Sequence, residues 1–506
     1  MNDSNNRLNK GKSMTRTITL TYFLLLSWSV FAQETYQLSE EKIKDLSLEV
    51  SPQWENIEAA FLVSKNESLQ LEDRFKPVVF GEANYAETRE RAIIQFIPIW
   101  SPAKTAQVGV RQNFKSGVSL SGGLGTDQRS ALTSSGKFKN VSTSVLRLDI
   151  QVDLWKDLLG KLSKAQNQSA MFSKEKAEHE KQIQQKSFIL TLRKTYWSLV
   201  ANNELINISK NLLNVSKDQL ADSRKRRQAG ITDDGEVARY EAQVASREGN
   251  ILFYEYQREI IFKQLRMLLP ALVNKNIVLQ NYDLSLTLSK VLACTELIAS
   301  KKEVPLDFTQ YDEVIEFLHK TKTEQLKLAD AYDQIDLKFV GTAKTTGVSS
   351  TNNGNGVTRG SYGDSFDDFQ DNNRTGYSVG LNLAIPFGKG ETKNTQEQLA
   401  QKRFSAQIDQ SKSELGSTHK QLVKNIQLLT SVIRFQKENS LALEKRLRVQ
   451  NRKFKEARVS VNDLIMDQDS LLSSSISVIN SQLELLNIIF DYLSVFTETP
   501  CEFNRI

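Results

Sequence analysis

Polar and apolar residues alternate strictly in two stretches of the chain. In VLRLDIQVDLW (Val145–Trp155), Leu146, Leu148, Ile150, Val152 and Leu154 alternate with Arg147, Asp149, Gln151 and Asp153. In GYSVGLNLAIPFGKG (Gly376–Gly390), Tyr377, Val379, Leu381, Leu383 and Ile385 alternate with Ser378, Gly380, Asn382 and Ala384. A period of two predicts strands with one apolar and one polar face. Each stretch has an upstream partner: Ala106, Val108 and Val110 followed by Val118, Leu120 and Leu124 for the first, and Ile335, Leu337, Phe339 and Ala343 for the second. The Gly-, Ser- and Asn-rich residues at about 125–140 and 346–373 read as long loops between partners. Four strands are thus expected, too few to close a barrel alone, since about eight is the smallest number that does.

Elsewhere the period is helical. From Leu158 to about Arg227 there is no proline, and Leu192, Leu199, Ile206, Leu213 and Leu220 recur every seven residues. That repeat marks coiled-coil-like packing against neighbouring helices, and at ~1.5 Å per residue the segment is ~100 Å long. Glu391 to about Glu456 has the same character, with Leu422, Ile426, Leu429 and Ile433 on one face. Each long helix turns at a short break and returns on a more apolar one, Glu236–Leu269 before Pro270 and Asp463–Phe496 before Pro500.

The two breaks, RRQAGITDDGEVARYEAQ (Arg226–Gln243) and KEARVSVNDLIMDQDS (Lys455–Ser470), superpose at an offset of 227 residues, from Gly230 to Ala457 and from Glu236 to Asp463. Strand pair, long helix, hairpin and return helix therefore occur twice, as in a tandem duplication. The corresponding boundaries are 33–270 for the first repeat, 271–309 for a connecting segment, 310–500 for the second repeat and 501–506 for a tail.

Composition agrees with long helices: only 8 of 506 residues are proline, and the formal charge of +6 is too small and dispersed to indicate nucleic acid. The apolar run Ile18–Glu34, preceded by Arg16 and ending in Val30-Phe31-Ala32, predicts an export signal over residues 1–32 with cleavage after Ala32. The start is either Met1 or Met14, and Gln33 stands where a lipoprotein needs Cys. After Ala32 no stretch of 18 apolar residues predicts a spanning helix, although an exported chain can enter a membrane as strands. Catalytic chemistry finds little support. His179, His319 and His419 each lie among Lys and Glu on predicted helices and read as solvated. Asp233-Asp234 and Asp367-Asp368 lie in turns, where acidic residues are ordinary, and neither a metal nor a cofactor motif is present.

With this organisation, the chain resembles the TolC family of outer-membrane efflux proteins. The hairpin motif of that family, roughly Gly-x-Val-Ser-x-x-Asp-Val/Leu-Leu, is similar to Ala457-Arg-Val459-Ser460-Val-Asn-Asp463-Leu464-Ile465 and to Gly230-Ile231-Thr232-Asp-Asp-Gly-Glu236-Val237-Ala238. Leu38–Phe61 and Ile385-Pro386-Phe387-Gly388 are similar to its opening helices and its second strand-to-helix corner. The resemblance implies a mixed α and β membrane protein, a homotrimer in which four strands per protomer close a 12-stranded outer-membrane β-barrel. The helices would form a long periplasmic barrel with a mixed equatorial belt. It implies a passive exit duct for small molecules, without enzyme activity or cofactor, partnered by outer-membrane lipid, a periplasmic adaptor protein and an inner-membrane transporter. The alternatives are a type I protein-secretion exit or, from another class, a periplasmic coiled-coil scaffold without a channel.

The resemblance also assigns residues. Asp463 matches an acidic ring at the periplasmic aperture; Met466 stands where a second acid is usual, leaving Asp467 and Glu236 as candidate replacements. Asp463 also suits the N-terminus of the return helix as a cap. Phe454 stands where a gating Tyr donates a hydrogen bond, so the closed tip is expected to be loosely held, and with one carboxylate per protomer lost at Met466 it is expected to be less cation-selective. Gly230, Ile231, Thr232, Ala457, Val459 and Ser460 would face the adaptor. The basic clusters Arg224–Arg227 and Arg446, Arg448, Arg452, Lys453 and Lys455 either suit helix C-termini or dock the adaptor. Cys294 and Cys501, the only cysteines, would both lie in the equatorial belt, where a disulfide is expected in an oxidising compartment.

Overall fold

The computed structural model describes residues 35–49, 51–88, 90, 99–133, 136–280, 282, 284, 286–290, 309–331, 334–349, 358–359, 361–371, 374–387, 390–456 and 458–496. The export signal, Ala457, Cys294 and Cys501 lie outside them. The chain divides into two compact units, one of Met1–Ile57, Ile183–Phe308 and Ser417–Ile506, the other of Glu58–Gln182 and Thr309–Gly416.

In the first unit, β1 (Thr35–Leu38) pairs in parallel with β6 (Asn276–Leu279). These strands, α1 (Glu40–Glu49) and the adjoining helices share one core. Leu38, Ile43, Leu192, Leu199, Leu265, Leu269, Leu485, Ile489, Phe490 and Phe496 are all almost fully buried there. Two long helices each turn into a shorter one, α3 (Lys161–Gln228) into α4 (Asp234–Leu268) and α7 (Glu391–Lys455) into α8 (Val461–Val495).

The heptad expected on α3 is buried at Leu192, Leu199 and Ile206. Beyond it, the buried stripe moves to Ser209, Ser216 and Ser223, while Leu213 and Leu220 are half-buried. A small polar residue thus replaces the apolar one on every second turn of this part of α3. The pairing is held on its flank by Lys210–Glu255, Lys217–Glu248 and Arg224–Glu241 at 3.6, 2.8 and 2.7 Å. These pairs step seven residues forward along α3 and seven back along α4, the geometry of an antiparallel coiled coil.

The second unit contains a sheet in the order β2 (Val78–Ala86), β3 (Ile99–Asn113), β4 (Val118–Thr133), β5 (Gly136–Asp153), β7 (Asp336–Ser349) and β9 (Arg374–Ala384). A two-residue strand, β8 (Thr358–Arg359), pairs with β5 off this path. Every neighbour along the main path is antiparallel. Six long strands replace the four expected. Val108 and Val118 belong to two strands rather than one, and β2 adds another. Residues 125–140, expected as a loop, are largely strand: β4 and β5 stay in register from Val118↔Val152 to Thr133↔Gly136. The short helix α6 (Tyr362–Asp371) packs over β5 and β7, where Ser365 Oγ meets Ser144 Oγ at 2.8 Å.

Also in this unit, α5 (Asp312–Asp330) is tied to α3 by Gln325 donating to Ser169 at 2.9 Å and to α7 by Lys322 donating to Ser405 at 2.7 Å. Among the described residues no helix is long and apolar enough to cross a membrane; this does not bear on strands.

Candidate functional site

Cross-strand pairing sorts the sheet into two chemically different faces. One hydrogen-bonded row runs Val79, Val110, Gly122, Leu148, Ala343, Tyr377; a neighbouring row runs Gly81, Val108, Leu124, Leu146, Thr345, Thr375. Because side chains alternate, residues two apart share a face, so Val118, Leu120, Ile150, Val152, Leu337, Phe339, Val379, Leu381 and Leu383 lie on this one too. Val79, Val108, Val110, Leu124, Leu146, Leu148, Ile150, Val379, Leu381 and Leu383 are exposed, as is Tyr377 at 87%. An apolar belt across six strands, open on its outer side, far exceeds the scattered apolar residues of an ordinary surface.

The opposite face carries Glu82, Asn84, Gln107, Arg111, Asp127, Arg129, Arg147, Asp149, Gln151, Lys338, Lys344 and Asn382. Its charges are mutually bonded: Arg129–Asp127 at 2.9 Å, Arg147–Asp149 at 2.8 Å, and Asp149 accepting from Thr342 at 2.7 Å. Gln107 donates to Glu82 at 2.7 Å. This face is concave over β2–β5, enclosing a hollow of about 570 Å³ bordered by Glu82, Gln107, Asp127, Arg129 and Arg147. On this face Gly109 and Gly123 let β3 and β4 approach closely, since a β-carbon there would stand 2.6 and 2.7 Å from the facing carbonyl oxygens of Gly122 and Val108.

Sheet meets helix at a tight corner. Asp157 accepts from the backbone N–H groups of Leu162 and Ser163 at 2.7 and 3.0 Å, capping α3. Gly117 in the β3–β4 turn and Gly160 before α3 both have positive φ, +77° and +75°. They bring the turn against the corner so closely that side chains are excluded. Trp155 and Phe387, the two corner aromatics, are exposed, Phe387 at 95%.

The hairpin tips of the first unit are built alike. After α3, Gly230 takes φ +72°, with the N–H of Ile231 donating to Arg226 O and that of Gly230 to Arg227 O, both at 2.9 Å. This is a Schellman stop. After α7, Arg458 N–H donates to Lys453 O at 2.9 Å in the same way. Asp233 then caps α4 by accepting from Glu236 N–H at 2.9 Å, and Ser460 caps α8 by accepting from Asp463 N–H at 3.2 Å. Glu236 and Asp463 hold the same third helical position, 227 residues apart.

Their side chains differ in setting. Asp463 is exposed and accepts from the Ser460 hydroxyl at 2.7 Å. Glu236 accepts from Thr232 Oγ1 at 2.5 Å and lies 3.7 Å from Arg226. Met466 is exposed, whereas Asp467 is only 3% exposed and is held bidentately by Arg446 at 2.7 and 3.1 Å. Asp467 lies on the α8 face that bears the buried Leu464 and Gln468, whereas Met466 lies on the exposed one.

The two hairpins meet where the Arg226 guanidinium lies over the Phe454 ring at 5.6 Å. α4 and α8 are joined by Gln243 donating to Gln468 at 2.7 Å and by the Arg247–Asp469 ion pair. Burial pushes the nearby Tyr240 phenol up to about 12. Arg224, Arg226 and Arg227 are all engaged by acids of the same hairpin. Arg446→Met is expected to cost about 3 kcal/mol by leaving a buried carboxylate unpaired. Arg446→Met with Asp467→Leu should recover most of it, and thermal unfolding in detergent reads both.

Of the three histidines, His319 alone is exposed. His179 is paired with Glu313 at 2.5 Å and stacks on Phe317. His419, expected in solvent, is 6% exposed and packs edge-on to Phe496, because its α7 face meets α8. Among the described residues no cluster of His, Cys, Asp or Glu is placed to hold a metal.

No protein-family model and no curated protein matches the sequence. Solved structures do. The outer membrane protein VceC of Vibrio cholerae shares 15% identity at a TM-score of 0.64, over 91% of this chain and 97% of its own. The CmeC outer membrane channel of Campylobacter jejuni shares 12% at 0.63, over 93% and 91%. The MtrE outer membrane channel of Neisseria gonorrhoeae, in its open state, shares 15% at 0.59, over 91% of each chain. At such identities the likeness is one of fold: the chain has the architecture of TolC-type channels, as the hairpin motifs implied.

Proposed function

We propose that this chain, which has the TolC-type channel fold, is the protomer of a passive outer-membrane exit duct. The observation that carries the reading is the two-faced sheet, apolar and exposed on one side, polar and concave on the other. A lipid-facing band about 25 Å tall around a polar lumen is what a membrane β-barrel requires. In water the same belt would remain an uncovered apolar surface.

One protomer cannot close a barrel with these strands, so copies must join. Apolar stripes on two helices of the first unit support this: Leu252, Phe253, Tyr256 and Met267 on α4, and Leu428, Val432, Phe435 and Val449 on α7, are all exposed. A homotrimer covers such stripes by helix packing. The helices, at ~1.5 Å per residue, are long enough to line a periplasmic tunnel, and the hairpin tips meet an adaptor that links the duct to an energised inner-membrane transporter. Outer-membrane fractionation followed by native mass measurement tests the reading. Three copies per particle are expected, whereas a soluble periplasmic monomer would contradict it.

At the tip, Asp463 is the exposed carboxylate of the second hairpin and the acid of the aperture; Arg226 on Phe454 supplies a contact where the hydrogen bond of a gating Tyr is missing. Asp463→Asn is expected to shift the reversal potential under a salt gradient toward anion permeation, because a narrow constriction amplifies its remaining charge. An unchanged potential would leave Asp463 a helix-end residue only.

A further inference from the structure

Among the described residues, the strand pair β2–β3 has no counterpart in the second half of the chain. We infer that β2 of one copy pairs with β9 of the next, so that three copies close a wall of 18 strands, six from each, rather than 12. The inference rests on the trimeric duct and concerns which strands form its wall.

Four observations carry it. First, the apolar belt does not stop at β4. Ala106, Val108 and Val110 of β3 and Val79, Ala83 and Tyr85 of β2 continue it in register, while Glu82, Asn84, Gln107 and Arg111 continue the polar face. A hairpin folded into the lumen would have no use for an apolar outer side.

Second, β2–β3 is anchored as part of the wall. The turn joining β3 to β4 abuts the strand-to-helix corner through Gly117 and Gly160, and Asn113 Nδ2 donates to Arg74 O at 3.2 Å just before β2. The Lys115 ammonium lies over the Phe75 ring at 5.7 Å.

Third, β2 and β9 are the two ends of the sheet, and neither is protected. VVFGEANYA has one charge and no proline; β9 has none of either after Arg374. Exposed edges in natural sheets are blunted by Lys, Pro, bulges or brevity. These edges, 9 and 11 residues long, have the character of strands that are paired in the assembled protein.

Fourth, the geometry closes. With an even number of alternating strands, β2 leaves the helix-proximal edge of the sheet and β9 returns to it, so the new pair is antiparallel like all the others. The row beginning at Val79 ends at Tyr377, six residues before Leu383. Pairing Leu383 with the next copy's Val79 keeps apolar against apolar and gives one residue of stagger per strand. That ratio corresponds to a tilt of ~36°, within the range of membrane barrels. Since diameter grows roughly linearly with strand number, the lumen is about half again as wide as a 12-stranded one. It suits bulky or polymeric cargo as well as small molecules.

Cross-linking in outer membranes tests this in the full chain with Cys294→Ser and Cys501→Ser. Val79→Cys with Leu383→Cys, and Ala83→Cys with Val379→Cys, place thiols across the inferred seam. Leu120→Cys with Leu383→Cys places them where β4 would meet β9 if β2–β3 lay off the wall. A short bismaleimide should convert most of the first two variants into covalent trimers and leave the third monomeric on denaturing gels. Trimers from the third alone, or from none while native mass still gives three copies, would overturn the seam and spare the duct. A native mass other than three copies would overturn both.

Discussion

Gly160→Ala is expected to abolish recovery of trimer from the outer membrane, the largest effect of a single added methyl group among the described glycines. At φ +75° a β-carbon costs ~1–2 kcal/mol in backbone strain. It would also stand 1.6 Å from the Lys115 carbonyl oxygen, with the Ser116 Cα at 3.0 Å. Those atoms are backbone of the β3–β4 turn and cannot swing aside like a side-chain tip. Either the turn leaves the corner or α3 loses its start, where Asp157 caps Leu162 and Ser163. Gly230→Ala separates strain from collision: its φ is +72°, yet nothing lies within 4 Å of the added carbon. That variant should assemble normally and lose only the backbone term of ~1–2 kcal/mol, a few degrees in thermal midpoint. Equal behaviour of the two variants would mean that the corner is not tightly packed.

A charge in the apolar belt should be almost as damaging. Leu148 sits among Leu146, Ile150 and Val152 on β5, with Gly122 and Ala343 beside it. Leu148→Arg is expected to cost ~2–4 kcal/mol per protomer if that position faces mid-bilayer, and a trimer bears the cost three times. The inserted fraction should fall at least tenfold. Gln151→Arg, three residues on and on the polar face, should insert normally because its side chain stays in water. If both variants insert equally well, the belt does not meet lipid.

How much of this was legible in the sequence depended on whether a residue's type matched its neighbourhood. The β5 and β9 alternation could be read because the two faces of the sheet carry opposite chemistries on successive residues. Residues 125–140 could not: where β4 and β5 run on past the belt, Thr126, Gln128, Ser142 and Ser144 carry no apolar alternation, and glycine and serine imitate a loop. β2 was missed because Gly81 and Ala83 dilute its apolar side. On α3 the heptad of Leu192, Leu199 and Ile206 marked the seam, but its continuation at Ser209, Ser216 and Ser223 was invisible to a search for apolar residues. The hairpins were the clearest feature, because Gly230 follows a local rule of helix ends; the cap of the second return helix, expected at Asp463, is Ser460, which accepts from the Asp463 N–H. His419 was misjudged for the converse reason: which face of a long helix is buried is decided by its partner, here the turn bearing Phe496.

The central claim, that the sheet separates lipid from a polar lumen, is tested most directly by labelling its two faces on one strand. In chains carrying Cys294→Ser and Cys501→Ser, single thiols are placed by Leu148→Cys, Val152→Cys, Asp149→Cys and Gln151→Cys and exposed in membranes to a lipid-phase maleimide and a charged, water-phase one. The account predicts that the first two react with the lipid-phase reagent and the last two with the water-phase reagent. Equal reaction of all four with the water-phase reagent would contradict it.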